Sequence, residues 1–185
     1  AFDTGPANAL VDDWMAARAG APFDADGQAA RAGRVDQRRV AAWVSASSYL
    51  AAPAPKSLDR LDFHGALVEL TAVMGLSVED GAATLTALSA ACVAAATPHL
   101  PEPPGLWVAV GGGRRNGALM DALAARLTAP VAPAEAVGLD GDMVEAHAFA
   151  HLALRVERGL PLSAPGVTGA PRPIIGGLRA APDAA

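Results

Sequence analysis

The chain is 185 residues long, with 52% hydrophobic residues and a formal net charge of −5. One domain of this size buries roughly 70% of its unfolded surface, and the negative balance argues against a nucleic acid partner, which needs clustered basic side chains. Apolar runs fall short of the ~20 residues that span a bilayer and no charged-then-apolar signal segment opens the chain, so the expectation is a soluble cytoplasmic protein with no membrane partner.

The chain starts on Ala1-Phe2-Asp3-Thr4-Gly5-Pro6-Ala7-Asn8. An apolar residue, an acid, Gly-Pro and a helix-starting Asn describe a strand that delivers a carboxylate to a tight turn. Asp3 so mounted can act as a general base toward a water or hydroxyl; a carboxylate capping its own turn fits equally, and both stay open. The strand that should carry Asp3 is almost absent, which reads as the C-terminal part of a longer enzyme.

Asn8 caps a helix through about Arg18, with Leu10, Trp14 and Ala17 at helical spacing and Asp12 and Asp13 near its positive end. Pro22 to Gly27 is a loop. Its Asp24-Ala25-Asp26-Gly27 resembles the start of a calcium loop but lacks the later ligands and the final Glu, so it reads as a turn. Helices are expected over Gln28–Gly33 and Asp36–Leu50, with Arg34, Arg38 and Arg39 on a solvated face. Ala51 to Pro55 breaks the pattern. Lys56 is the only lysine among 14 Lys and Arg residues, which hints that a compact ammonium is wanted there.

Further on, Asp62 caps a helix through about Val73, and Ser77 or Asp80 starts an alanine-rich central helix ending near Thr97. Cys92 inside it reads as a buried thiol. After the loop Pro98–Gly105, Leu106–Val110 is a short apolar run typical of a buried parallel strand. Gly111-Gly112-Gly113 ends it, and Asn116 starts a helix with Leu119, Leu123 and Leu127 on one face. A second strand lies around Pro130–Ala134, Asp142 caps a helix through about Gly159, and the tail from Pro161 is irregular. This order is that of an α/β fold with parallel strands, and its sheet is too narrow for so much helix unless further strands are supplied from elsewhere.

The strongest local signal is Gly111-Gly112-Gly113-Arg114-Arg115-Asn116. Glycines let a ligand approach the backbone, and the next helix offers free N–H groups. A nucleotide and a ligand-free turn both fit. The phosphate loop G-x-x-x-x-G-K-[ST] is absent, and the dinucleotide fingerprint would need glycine at Asn116. His147 and His151 lie four apart near Glu145, but no third metal ligand presents itself, and they read as helix-face histidines.

Taken in order, these segments resemble the anhydro-N-acetylmuramic acid kinase family. Phe2–Asp12 is similar to F-D-[TC]-G-P-G-N-x-L-[MI]-D, Phe23–Gly27 to F-D-x-D-G, and Pro55-Lys56-Ser57 with Arg60 and Phe63 to P-K-S-T-G-R-E-x-F. Ala83–Leu88 is similar to A-T-L-T-A-L, Gly111–Asn116 to G-G-G-x-x-N, Glu145–Ala150 to E-[AG]-x-A-F-A, and Val167–Ala170 to V-T-G-A.

The resemblance implies the C-terminal portion of an actin-like (ribonuclease H-like) kinase fold, helix-rich with a narrow partial sheet, covering residues 1–185. It implies ATP-dependent opening of the 1,6-anhydro ring of anhydro-N-acetylmuramic acid and phosphorylation of O6, in peptidoglycan recycling. Asp3 becomes the base that activates water. Asn8 and Glu145 contact the sugar, and Gly111, Gly112, Gly113 and Asn116 contribute to the nucleotide site. Mg²⁺ accompanies ATP. The expected partners are the N-terminal half of the same enzyme, carrying the G-T-S-x-D-G loop, and a second copy in a homodimer. Ala7 departs from the pattern, since alanine suits that turn only at negative φ; Leu58, Asp59 and Leu61 also depart. The alternative is a non-catalytic binding module on the same fold.

Overall fold

The computed structural model describes residues 1–66 and 68–180. Helix α1 (Ala9–Ala19) is followed by a 3-10 turn at Ala25–Gly27 and by α2 (Gln28–Ala32), α3 (Gln37–Ala46), α4 (Ser48–Ala51) and α5 (Asp62–Ala66). The long α6 (Val78–Ala96) leads through a 3-10 turn to β1 (Trp107–Ala109). Then come α7 (Gly117–Arg126), β2 (Val131–Pro133), α8 (Val144–Glu157) and the short α9 (Pro165–Thr168). The two strands pair in parallel, Val108 opposite Ala132, with α7 as the crossover. The chain is therefore a helix-rich α/β protein with a two-stranded parallel sheet.

Helix α6 is the hub, packed against α1, α2, α3 and α7. Ser77 starts it by accepting from the Asp80 amide. Its small residues let neighbours close in: a Cβ on Gly81 would lie 2.3 Å from the Trp14 indole. That indole is fully buried and donates to the Val78 carbonyl at 2.8 Å. Leu85 and Leu88 are also fully buried, each stabilising the core by about 1.5–3 kcal/mol. Contrary to the sequence expectation, Val78–His99 is long and apolar enough to cross a membrane, at 22 residues and mean hydropathy 1.3. Here 72% of its most apolar window is buried inside the protein. Cys92 on the same helix is fully buried, and burial pushes its thiol up to about 12, so it stays protonated.

Several boundaries differ from the sequence reading. The inner face of α1 is Leu10, Val11, Trp14 and Met15, while Ala17 is exposed. The helix expected over Asp36–Leu50 breaks at Ser47, whose hydroxyl accepts from the Leu50 amide and caps α4. The helix expected over Asp62–Val73 ends at Ala66, with a separate 3-10 turn at Leu70–Val73; position 67 within that span lies outside the described residues, as do 181–185 of the tail. Strand β1 was expected to be buried, yet Val108 is 39% exposed and its neighbours Trp107 and Ala109 are only half-buried. Met143, not Asp142, occupies the position before α8, since the Asp142 carboxylate is drawn to Arg114.

Ala7 has φ +48, the reverse of the negative value that alanine was expected to need. The left-handed region costs a non-glycine residue roughly 1–2 kcal/mol, and a 2.6 Å hydrogen bond from the Ser89 hydroxyl to the Ala7 carbonyl helps to hold the turn. Ala7→Gly removes that cost but loosens the unfolded chain. The expected net gain is about 0.5–1 kcal/mol, read as a higher denaturation midpoint with an unchanged m-value.

Candidate functional site

Asp3 is exposed, and both its main chain and its side chain are tied to distant residues. Its amide donates to the Lys56 carbonyl at 3.1 Å, and its own carbonyl accepts from the Tyr49 hydroxyl at 2.9 Å. Its Oδ2 accepts from the Ser57 hydroxyl at 2.8 Å and from the Leu58 amide at 3.0 Å. The carboxylate thus bonds a segment more than fifty residues away instead of capping its own turn. Gly5 follows so close to α6 that a Cβ there would sit 2.5 Å from Cβ of Cys92.

The role of the single lysine is geometric. Lys56 Nζ donates to the carbonyls of Tyr49, Leu50 and Ala52 at 2.8, 3.0 and 3.0 Å. A tetrahedral ammonium can aim three donors at three converging acceptors, which a planar guanidinium cannot. Burial lowers the affinity of this amine for its proton, and the three carbonyls keep the ammonium solvated by protein. The lysine therefore fixes residues 56–58, the strip that grips Asp3.

Around Asp3 is a cleft of about 380 Å³ lined by Phe2, Asp3, Lys56, Ser57, Val167, Thr168 and Gly169, among others. Gly169 lies against the ring of Pro55, so the turn after α9 is seated directly on the segment leading to Lys56. Three segments far apart in sequence converge on one carboxylate.

A second cleft, about 350 Å³, is lined by Asn8, Asp12, Phe23, Asp24, Asp26, Gly112, Arg115 and Asn116. Asn116 is buried and does two jobs. Its Oδ1 accepts from the Leu119 amide and caps α7, while its Nδ2 donates to Asn8 Oδ1 at 3.1 Å. Asp24 is buried with its two oxygens on the Ala29 and Ala30 amides at 2.8 and 2.9 Å, which turns the loop into α2. Gly27, at φ +72, packs so tightly that a Cβ would lie 2.4 Å from Asn116 Oδ1. Burial raises Asp12 above its ordinary value; Arg60 partly offsets this, and Asp13 and Asp24 add to it. By contrast, Cβ atoms on Gly111 and Gly112 would meet nothing within 4 Å. The φ of +67 at Gly111 accounts for glycine there, whereas neither packing nor a positive φ requires it at Gly112.

The glycine turn is held by Arg114, whose side chain is only 6% exposed. It donates to the Gly111 carbonyl and pairs with Glu135 at 2.7 Å and Asp142 at 2.9 Å. Arg114's hydrogen bonds hold both carboxylates below their ordinary range and the guanidinium above its own. Arg115 also pairs with Asp142. An apolar cavity of about 160 Å³ is bounded by Thr4, Gly5, Ala7, Val93, Val110 and Leu123, with others. Four residues of chain separate Asp3 from Asn8, so their Cα atoms are at most ~18 Å apart.

Of the residues singled out in the sequence, Asp3 lies in the first cleft, and Asn8, Gly112 and Asn116 share the second. Gly113 borders the apolar cavity, and Gly111 anchors the turn by donating to the Gly141 carbonyl. Glu145 is exposed in the first turn of α8 and lines neither cleft, and His147 and His151 are exposed on the same helix. The roles of Ser57, Tyr49 and Arg114 were missed. The lone lysine beside Ser57 was the available signal for the first of these.

The structure is that of a helix-rich α/β protein with a clamped carboxylate in one cleft and a glycine-rich strand-to-helix turn at another. Comparison with known proteins narrows this. The anhydro-N-acetylmuramic acid kinase family model matches residues 1–180, and the chain belongs to that family. It is 56% identical over 177 residues to the anhydro-N-acetylmuramic acid kinase of Rhodospirillum rubrum, covering 96% of this chain and 46% of that protein. The enzymes of the same name from Acidiphilium cryptum and Paramagnetospirillum magneticum are 53% and 51% identical, over 96% and 98% of this chain and 48% and 50% of theirs. The chain spans about half the length of the curated relatives it matches.

Proposed function

We propose that this chain is the C-terminal part of a two-domain, actin-like kinase that opens the 1,6-anhydro ring of anhydro-N-acetylmuramic acid and phosphorylates O6, in peptidoglycan recycling. The observation that carries the reading is the convergence of residues 2–3, 55–57 and 167–169 on one cleft around Asp3. All three segments lie in stretches that resemble motifs of the family. Asp3 takes a proton from water as the water attacks the anomeric carbon. Glu145 contacts the sugar from a position outside both clefts of this chain, which requires movement of α8 or closure by the remaining half.

The second cleft suits the nucleoside end of ATP. Phe23 is 56% exposed there and offers a ring face for stacking. Asn8 and Asn116 offer amide groups, and the carboxylates of Asp12 and Asp26 suit hydroxyls better than phosphates. The open space over Gly112 leaves room for close approach. ATP, with Mg²⁺, supplies the phosphoryl group and the charge neutralisation that such transfer needs. The phosphate-binding loop belongs to the other half of the enzyme. Use of ATP supports a cytoplasmic setting. Exposed apolar side chains such as Phe149, Leu154 and Ile175 support burial against that half or against a second copy in a homodimer.

The test is direct. The full-length protein is expected to phosphorylate the anhydro sugar with ATP, and the 185-residue chain alone is not. Turnover by the chain alone would overturn the two-part reading. Ligand binding without turnover by the full-length protein would favour a non-catalytic binding module.

A further inference from the structure

We infer that Ser57 is a positioning residue for Asp3, and that Asp3 Oδ1, not Oδ2, is the atom that takes the proton in the reaction proposed above. The inference rests on that reading of Asp3 as the base. The two carboxylate oxygens are not equivalent. Oδ2 accepts both the Ser57 hydroxyl at 2.8 Å and the Leu58 amide at 3.0 Å, whereas Oδ1 accepts no hydrogen bond among the described residues. An oxygen whose lone pairs are engaged by two donors is the poorer proton acceptor. Two donors on adjacent residues also fix the plane of the carboxylate, which a single donor leaves free to turn.

The clamp is itself anchored. The Lys56 carbonyl accepts from the Asp3 amide, and Lys56 Nζ is held by three carbonyls at and just beyond α4. Tyr49, one of those three residues, also donates its hydroxyl to the Asp3 carbonyl. The position of Ser57 relative to Asp3 is therefore set from both sides. In the reaction, the proton of the attacking water passes to Oδ1 as its oxygen bonds to the anomeric carbon. The bond from that carbon to O6 breaks with its electron pair on O6; O6 bonds to the γ-phosphorus of ATP as the bond from that phosphorus to the β–γ bridging oxygen breaks, and ADP leaves with that electron pair. Ser57 keeps its own proton throughout.

Steady-state kinetics of the full-length enzyme test this with Ser57→Ala, Ser57→Thr, Asp3→Asn and the Ser57→Ala/Asp3→Asn double variant. Ser57→Ala is expected to lower kcat about 10-fold through misplacement of the base, with the KM for the sugar unchanged. Ser57→Thr, which keeps the hydroxyl, restores most of kcat. In the Asp3→Asn background, Ser57→Ala adds no further loss, because the serine acts only through the aspartate. Wild-type kcat in Ser57→Ala, or a full multiplicative loss in the double variant, overturns the clamp. Wild-type turnover in Asp3→Asn overturns the base itself, so the two failures are distinguishable.

Discussion

In the full-length enzyme, Asp3→Asn is expected to lower kcat by ~10² or more while the anhydro sugar still binds. The substitution is nearly isosteric, and the Asn Oδ1 atom can take over the acceptor role of Asp3 Oδ2 toward Ser57 and the Leu58 amide. The backbone bonds to Lys56 and Tyr49 do not involve the side chain at all. What disappears is the capacity to accept a proton. General-base assistance is worth roughly 10²–10⁴ in rate, so a kcat loss in that range with retained sugar affinity is the signature. Steady-state kinetics together with calorimetric titration of the sugar measure both quantities. Unchanged kcat removes Asp3 from the chemistry.

Gly27→Ala is expected to be the most damaging single-methyl change near the second cleft, at about 2–4 kcal/mol of stability. Two costs combine. The φ of +72 lies where an L-residue loses roughly 1–2 kcal/mol. The new methyl would also meet Asn116 Oδ1 at 2.4 Å, Ala118 Cβ at 2.6 Å and the Ala118 amide at 2.7 Å. Those atoms form the start of α7, so relief of the clash pushes Asn116 off its cap and away from Asn8. Gly20→Ala is the control. Gly20 has nearly the same φ, +66, with nothing within 4 Å, so its cost is expected to be only about 1 kcal/mol. Urea denaturation of both variants isolates the packing cost as the difference, and equal losses would show that the contact with Asn116 is immaterial.

The sequence exposed those features that depend on neighbours in the chain. Asn116 announced its helix because a cap acts within three residues, the start of α6 was narrowed to Ser77 or Asp80, of which Ser77 is the cap, and β1 stood out as an apolar run between turns. Ser47 was hidden inside a helical pattern, since its hydroxyl only reveals a break once the Leu50 amide is seen to turn toward it. Asp142 looked like a cap because nothing local betrays that Arg114, 28 residues earlier, claims its carboxylate. In the first cleft the same limit holds: Asp3 was legible from its turn, but the Ser57 and Tyr49 contacts are made by residues 54 and 46 positions away. The sign of φ at Ala7 was misjudged for a similar reason. The turn is closed by Ser89 on α6, which outweighs the local preference of alanine.

The three-carbonyl seat of Lys56 makes this chain a reporter of its own breathing. An amine-selective reagent needs a free, unprotonated side-chain amine, and this chain has one lysine to offer. That amine becomes available when the Tyr49, Leu50 and Ala52 carbonyls let go. The labelling rate therefore reads the local opening equilibrium of the strip that carries Ser57, by mass spectrometry and without any introduced probe. Sugar bound in the adjoining cleft should slow that rate.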